Sequence, residues 1–133
     1  AYYEGRTEIE GIRDYFESIL ENVTLIDDFD VYGHLDYVVR YCPSGEKIFR
    51  MADYNDVLEQ IFKIIIPKGK GIEINTGSLY KNMGGEIITV GSDAHKPEYL
   101  CYDFETYARD ALTSLGYRYY CTFKNRKPEF NPL

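Results

Sequence analysis

Two short stretches set an imidazole beside a carboxylate: His34-Leu35-Asp36 in "YGHLDY" and Asp93-Ala94-His95 in "GSDAHKP". Together they use both histidines of the 133-residue chain. Each follows an apolar run that stops at a glycine, "VYG" and "EIITVG", as a buried strand does at its C-terminal end. In parallel α/β folds those strand ends form the mouth of the active site. Side chains at i and i+2 of extended backbone point the same way, so each pair could present both groups to one metal cluster. Imidazole mixed with carboxylate suits zinc, manganese or iron. A single His-x-Asp pair is weak evidence, since an ordinary turn accounts for it better. Two such pairs at two strand ends leave the ligand reading and the bland one evenly matched. No Ser or Cys sits on a recognisable elbow, so nucleophilic catalysis is not indicated.

Three further residues could serve the same site. Arg40 ends the run "DYVVR" six positions after His34. It reads either as a surface charge facing one of many acids or as a phosphate clamp, because guanidinium binds phosphate oxygens bidentately. Glu73 and Asn75 in "GIEINT" share one face of a strand, with Ile72 and Ile74 on the other. A polar face at a buried strand end marks a pocket or a salt-bridged rim.

The elements that must position these groups follow from periodicity. In "TEIEGIRDYFESILENV" the residues Ile9, Ile12, Tyr15, Phe16, Ile19, Leu20 and Val23 recur at helical spacing. Thr7 and Glu10 form a capping-box start. "LIDDFDVYGHLDYVVRY" reads as a strand reaching a loop. A second helix is predicted from about Asp53 to Ile65, ended by Pro67 and Gly69. "GIEINT" and "GEIITVG" are predicted strands separated by a polar, glycine-containing link. A third helix is predicted over about Phe104 to Leu115, capped by Asp103 and Gly116, before the strand "YRYYCTF". This is α/β alternation with a mostly parallel sheet. One place conflicts with it: a parallel crossover needs a dozen or more residues, and Gly77 to Gly85 offers few.

Composition narrows the function classes. Hydrophobic residues make up 44% and charged ones 28%, with 14 Tyr and no Trp, the make-up of a folded domain. The net charge of −7 argues against nucleic acid as a partner, because phosphate contacts need clustered Lys and Arg. The densest basic stretch, "KNRKP" at 124–128, reads as a solvated tail. No apolar run reaches the roughly 20 residues of a membrane span, and no signal peptide opens the sequence. Cys42, Cys101 and Cys121 lack metal-like spacing and read as free thiols of a reducing cytoplasm.

The blocks "DDFDVYGHLDYVVRY", "KGKGIEINTGSLYK" and "GGEIITVGSDAHKPE" resemble, in order, the C-terminal half of the histidinol-phosphatases of the PHP (polymerase and histidinol phosphatase) superfamily. The opening "YYEGRTEIEGIRDYFESILENV" and the closing "GYRYYCTFKNRKP" fit the same family, so the resemblance covers essentially the whole chain. It implies the C-terminal part of a distorted (β/α)7 TIM-like barrel, with divalent metal ions (Zn, Mn or Fe) in a trinuclear site at the strand ends. It implies hydrolysis of a small phosphorylated substrate, L-histidinol phosphate, in histidine biosynthesis. By the same resemblance His34, Asp93 and His95 are the metal ligands and catalytic set. Arg40 and Asn75 stand on the substrate side, and Asp36 is a candidate to support an imidazole.

The sequence also departs from the family. It lacks the opening His-x-His strand and the further His and Glu ligands of the N-terminal half, and a segment is expected to be missing at 83–84. Residues 1–133 are therefore expected to be one incomplete PHP-type domain, inactive alone and prone to self-association through open strand edges. Two other readings stay open. One is a PHP phosphoesterase acting on a nucleotide or an oligonucleotide end; the other is a non-catalytic fragment.

Overall fold

The capping box forms as its residues dictate. In the computed structural model, which describes residues 2–74, 77–92, 94–99 and 104–133, helix α1 runs Glu8–Leu25. The Thr7 hydroxyl accepts from Glu10 N at 3.2 Å, and Glu10 Oε2 accepts from Thr7 N at 2.9 Å, satisfying two otherwise orphan donors. Ile12, Phe16, Ile19 and Val23 are buried on the predicted face, while Ile9 is 61% exposed and belongs to the solvent side.

Helix α2 (Asn55–Ile65) follows a tight turn at Met51–Tyr54 and buries Val57, Leu58, Ile61, Phe62 and Ile65 against α1. Arg13 ties the two helices together, donating to Asp56 Oδ2 at 2.9 Å across the seam. Gly69, at φ +67°, turns the chain after α2, and Lys70 N donates back to Ile65 O at 3.0 Å. A left-handed residue at a helix end costs glycine little.

Three short strands form a parallel sheet in the order β1 (Val31–Tyr32), β2 (Gly71–Glu73), β3 (Ile88–Thr89). Val31 faces Gly71, and Ile72 faces Ile88. Because the strands are parallel, their carboxyl ends lie together: Gly33-His34, Glu73-Ile74 and Val90-Gly91. Ile72 and Ile88 are fully buried among the core residues of α1 and α2.

The link between β2 and β3 is not the short polar connection that the sequence suggested. Residues 77–82 form helix α3 (Gly77–Asn82), within a connection running from residue 74 to residue 87. That length is enough for a parallel crossover. Tyr80 is its anchor: it is 1% exposed, packs edge-on against Phe62 at 5.4 Å and donates to Lys70 O at 2.8 Å. Three glycines and only two turns of helix hid this element from a periodicity argument.

The C-terminal third also differs from expectation. After a wide helical turn at Phe104–Ala108 and helix α4 (Arg109–Ser114), β4 (Tyr119–Lys124) pairs antiparallel with β5 (Lys127–Pro132). The stretch 124–128, read as a solvated tail, is the tip of this hairpin. Asn125 and Arg126 take φ +49° and +63°, the two left-handed positions that a tight two-residue hairpin requires. Arg126 then reaches across the fold and donates to Asp30 Oδ2 at 3.0 Å and to Asp28. The hairpin is thereby pinned to the loop that enters β1.

Among the described residues, no helix is long and apolar enough to cross a membrane. Cys42 and Cys121 are buried free thiols. Asn75, Asp93, Cys101 and Asp103 lie outside the described residues.

Candidate functional site

An open cleft of about 1420 Å³ lies over the carboxyl ends of the strands. His34, Asp36, Arg40, Glu73 and His95 all line it. Of the sequence-derived candidates within the described residues, every one is brought to this cleft. Tyr15, Tyr32, Tyr37 and Tyr41 form an aromatic wall beside them.

His34 is the best-defined group. The expected extended His-x-Asp geometry does not hold here: His34 has φ +49°, and Asp36 sits at φ −98°, ψ 12° as the chain enters a tight turn at Tyr37–Tyr41. The pair therefore does not share one face of a strand. Glu73 meets the imidazole instead, its Oε2 lying 2.9 Å from His34 Nδ1. The same oxygen accepts from the His34 backbone N at 3.1 Å. The His34 carbonyl accepts from Tyr37 N at 2.9 Å and from the Tyr15 hydroxyl at 3.4 Å. Tyr37 lies tilted beside the imidazole, with ring centroids 5.8 Å apart.

Burial raises the Tyr15 hydroxyl to about 12. It therefore stays protonated at neutral pH and serves the cleft as a hydrogen-bond donor. Arg40 stands exposed on the turn after His34, and its guanidinium makes no salt bridge among the described residues. A cation lining a cleft without a carboxylate partner among the described residues suits an anionic ligand.

The turn that carries Arg40 is held by a group the sequence analysis missed. Glu8, in the first turn of α1, accepts from Cys42 Sγ at 2.7 Å and from Ser44 N at 3.0 Å; its other oxygen accepts from Ser44 Oγ at 3.0 Å. In sequence Glu8 is only a first-turn acid favoured by the helix dipole, and nothing local signals its partners. The Cys42 thiol and then the Ser44 backbone N–H hold the Glu8 carboxyl below its ordinary value. A depressed carboxylate stabilises the fold above its unfolded pKa, and that contribution fades as pH falls through the folded value. Glu8→Gln is expected to melt below the parent at neutral pH, with the gap closing on acidification through the carboxylate range. Thermal melts across that range check it; a pH-independent gap would tie the effect to packing alone.

The donors around the cleft fit a transition-metal site in kind. Neutral imidazoles with carboxylates suit zinc, and a carboxylate on the far ring nitrogen is the support that ligating histidines use. Among the described residues, no group of three His, Cys, Asp or Glu side chains is placed to hold a metal ion.

Comparison with known proteins gives a consistent result. A family model for the PHP domain matches residues 1–77. The histidinol-phosphatase of Lactococcus lactis subsp. lactis (strain IL1403) is 29% identical over 147 aligned positions, which cover 98% of this chain and 54% of that protein. A probable histidinol-phosphatase of Thermotoga maritima is 29% identical, covering 89% of this chain and 54% of its own length. Among solved structures, histidinol phosphate phosphatase from Lactococcus lactis, complexed with zinc, L-histidinol and phosphate, superposes with a TM-score of 0.81. That match has 27% identity and covers 96% of this chain and 54% of the other. The chain spans about half the length of the relatives it matches.

Proposed function

The chain belongs to the PHP domain family, and from that premise we propose that it forms the C-terminal part of a divalent-metal-dependent phosphomonoester hydrolase. The substrate we assign is L-histidinol phosphate, cleaved to L-histidinol and phosphate in histidine biosynthesis, in the cytoplasm. The observation that carries this is the gathering of His34, His95, Glu73 and Arg40 around one cleft at the carboxyl ends of parallel strands. Support comes from relatives named for that activity and from a related structure that holds zinc, L-histidinol and phosphate.

In this reading the fold is part of a distorted (β/α)7 barrel, and the missing half would supply the remaining ligands of a trinuclear site. His34, Asp93 and His95 would hold metal from this side. Such ions supply a bound water of lowered pKa and neutralise charge on the phosphate oxygens. The chain's own residues do the rest. Arg40 binds non-bridging phosphate oxygens, and Asn75 is assigned to the substrate side as well. Glu8, through Cys42 and Ser44, holds the turn from which Arg40 reaches out. Glu73 fixes the His34 ring, and Tyr15 donates to the His34 carbonyl.

The test is a panel of phosphoesters assayed with the metal content of the same samples. The 133 residues alone are expected to be inactive and to self-associate, and an added N-terminal half, in cis or as a separate chain, is expected to restore turnover. Histidinol phosphate should then be preferred over nucleotides and oligonucleotide ends. Preference for a nucleotide would move the chain to the other PHP chemistry, and robust turnover by the isolated monomer would overturn the incomplete-site reading. In the same assay Arg40→Ala is expected to weaken substrate and free phosphate by about 1.5–3 kcal/mol, as for a lost charge-assisted contact. Unchanged phosphate inhibition would return Arg40 to a surface charge.

A further inference from the structure

We propose that Glu73 is the positioning residue of the site: it selects the His34 tautomer and holds the strained His34 backbone, so that Nε2 faces the cleft. One carboxylate oxygen carries both tasks. Glu73 Oε2 lies 2.9 Å from Nδ1 and accepts from the backbone N at 3.1 Å. A carboxylate is an acceptor only, so a neutral His34 must carry its proton on Nδ1, and its free lone pair sits on Nε2. The backbone contact answers a second need. A non-glycine residue at φ +49° is disfavoured by clash of Cβ with the following carbonyl, and it persists only where the surroundings hold it. Glu73 N-side, Tyr37 and Tyr15 bonds enclose His34 from both ends of its peptide unit.

The glycine at 91 belongs to the same device. A Cβ built there would collide with Glu73 Oε1, so the end of β3 must be bare for the carboxylate to lie across the strand ends. Glu73 is only 17% exposed whereas the His34 side chain is 57% exposed, the arrangement of a fixed support beneath a presented ligand. A sheltered carboxylate with this geometry holds an imidazole more rigidly than a solvated one.

The assignment rests on the phosphatase reading for what His34 does, but not for how it is held. The chain has only two histidines, so imidazole nitrogen NMR on ¹⁵N-labelled chain reads His34 directly, with His95 as internal reference. The complementing half, when added, is left unlabelled. Neutral His34 is expected as the Nδ1–H tautomer in the parent. Glu73→Ala should shift it toward Nε2–H and lower zinc affinity by about 10–100-fold, leaving His95 unmoved. Glu73→Gln keeps an acceptor oxygen and should retain the tautomer. Gly91→Ala keeps the carboxylate but displaces it, and should reproduce the Glu73→Ala spectrum in a chain of near-parental melting temperature. A parental Nε2–H tautomer, or a His34 spectrum unmoved by Glu73→Ala, would overturn the proposal. The expected tautomer in an assembled protein that hydrolyses no phosphoester would sustain the positioning role and sink the phosphatase reading instead.

Discussion

On the proposed function, His34→Gln, Asp93→Asn or His95→Gln in the chain joined by its complementing half is expected to bring phosphatase turnover to background. Each loss should exceed the roughly 10–100-fold that removing a ligand's supporting partner costs, because in the proposed site each is a direct donor. His34 and His95 line the same cleft and are the chain's only histidines, so no third imidazole of this chain can replace either. The fold should survive. Both histidines are exposed, and neither belongs to the buried core. The measurements are kcat, metal content by elemental analysis and thermal melting on the same preparations. Near-parental turnover with full metal loading in all three variants would put the reacting centre elsewhere.

Phe62→Ala is expected to cost about 3–5 kcal/mol of stability, a large share of the roughly 5–15 kcal/mol that holds a domain of this size together. Phe62 is 0% exposed at the centre of the α2 face. Its ring packs edge-on to Tyr80 at 5.4 Å, and Tyr80 in turn donates to Lys70 O. Truncation therefore opens a cavity and also loosens α3 against the end of α2. Denaturant titration checks it through a lowered midpoint at an unchanged slope. Ile9→Ala is the internal control: the side chain is 61% exposed and should lose little. A Phe62→Ala midpoint close to the parent's would mean that α3 carries no load in the core.

The first two helices were legible because their signals are local. The Thr7–Glu10 box and the apolar spacing of Ile12, Phe16, Ile19 and Val23 lie within one or two turns of each other. The same holds for Val57, Leu58, Ile61, Phe62 and Ile65 on α2. The hairpin tip was misread because Asn125-Arg126 lacks the glycine that usually marks such a turn, and because the strand that follows, Lys127–Pro132, holds a single large apolar residue, Phe130. Helix α3 was missed since its stability comes from Tyr80 burying its ring, which is a tertiary event.

By itself the sequence determined the α/β alternation, the strand ends near which His34 and His95 stand, and that the chain has only two histidines. Only the tertiary structure decided which groups meet. Glu73 stands 39 positions from His34, Glu8 lies 34 from Cys42, and Arg126 lies 96 from Asp30. No periodicity reaches that far. The parallel register of Val31 on Gly71 and Tyr32 on Ile72 brings the end of β1 beside Glu73. A slip of one residue would turn Glu73 to the opposite face of the sheet and leave His34 without its partner.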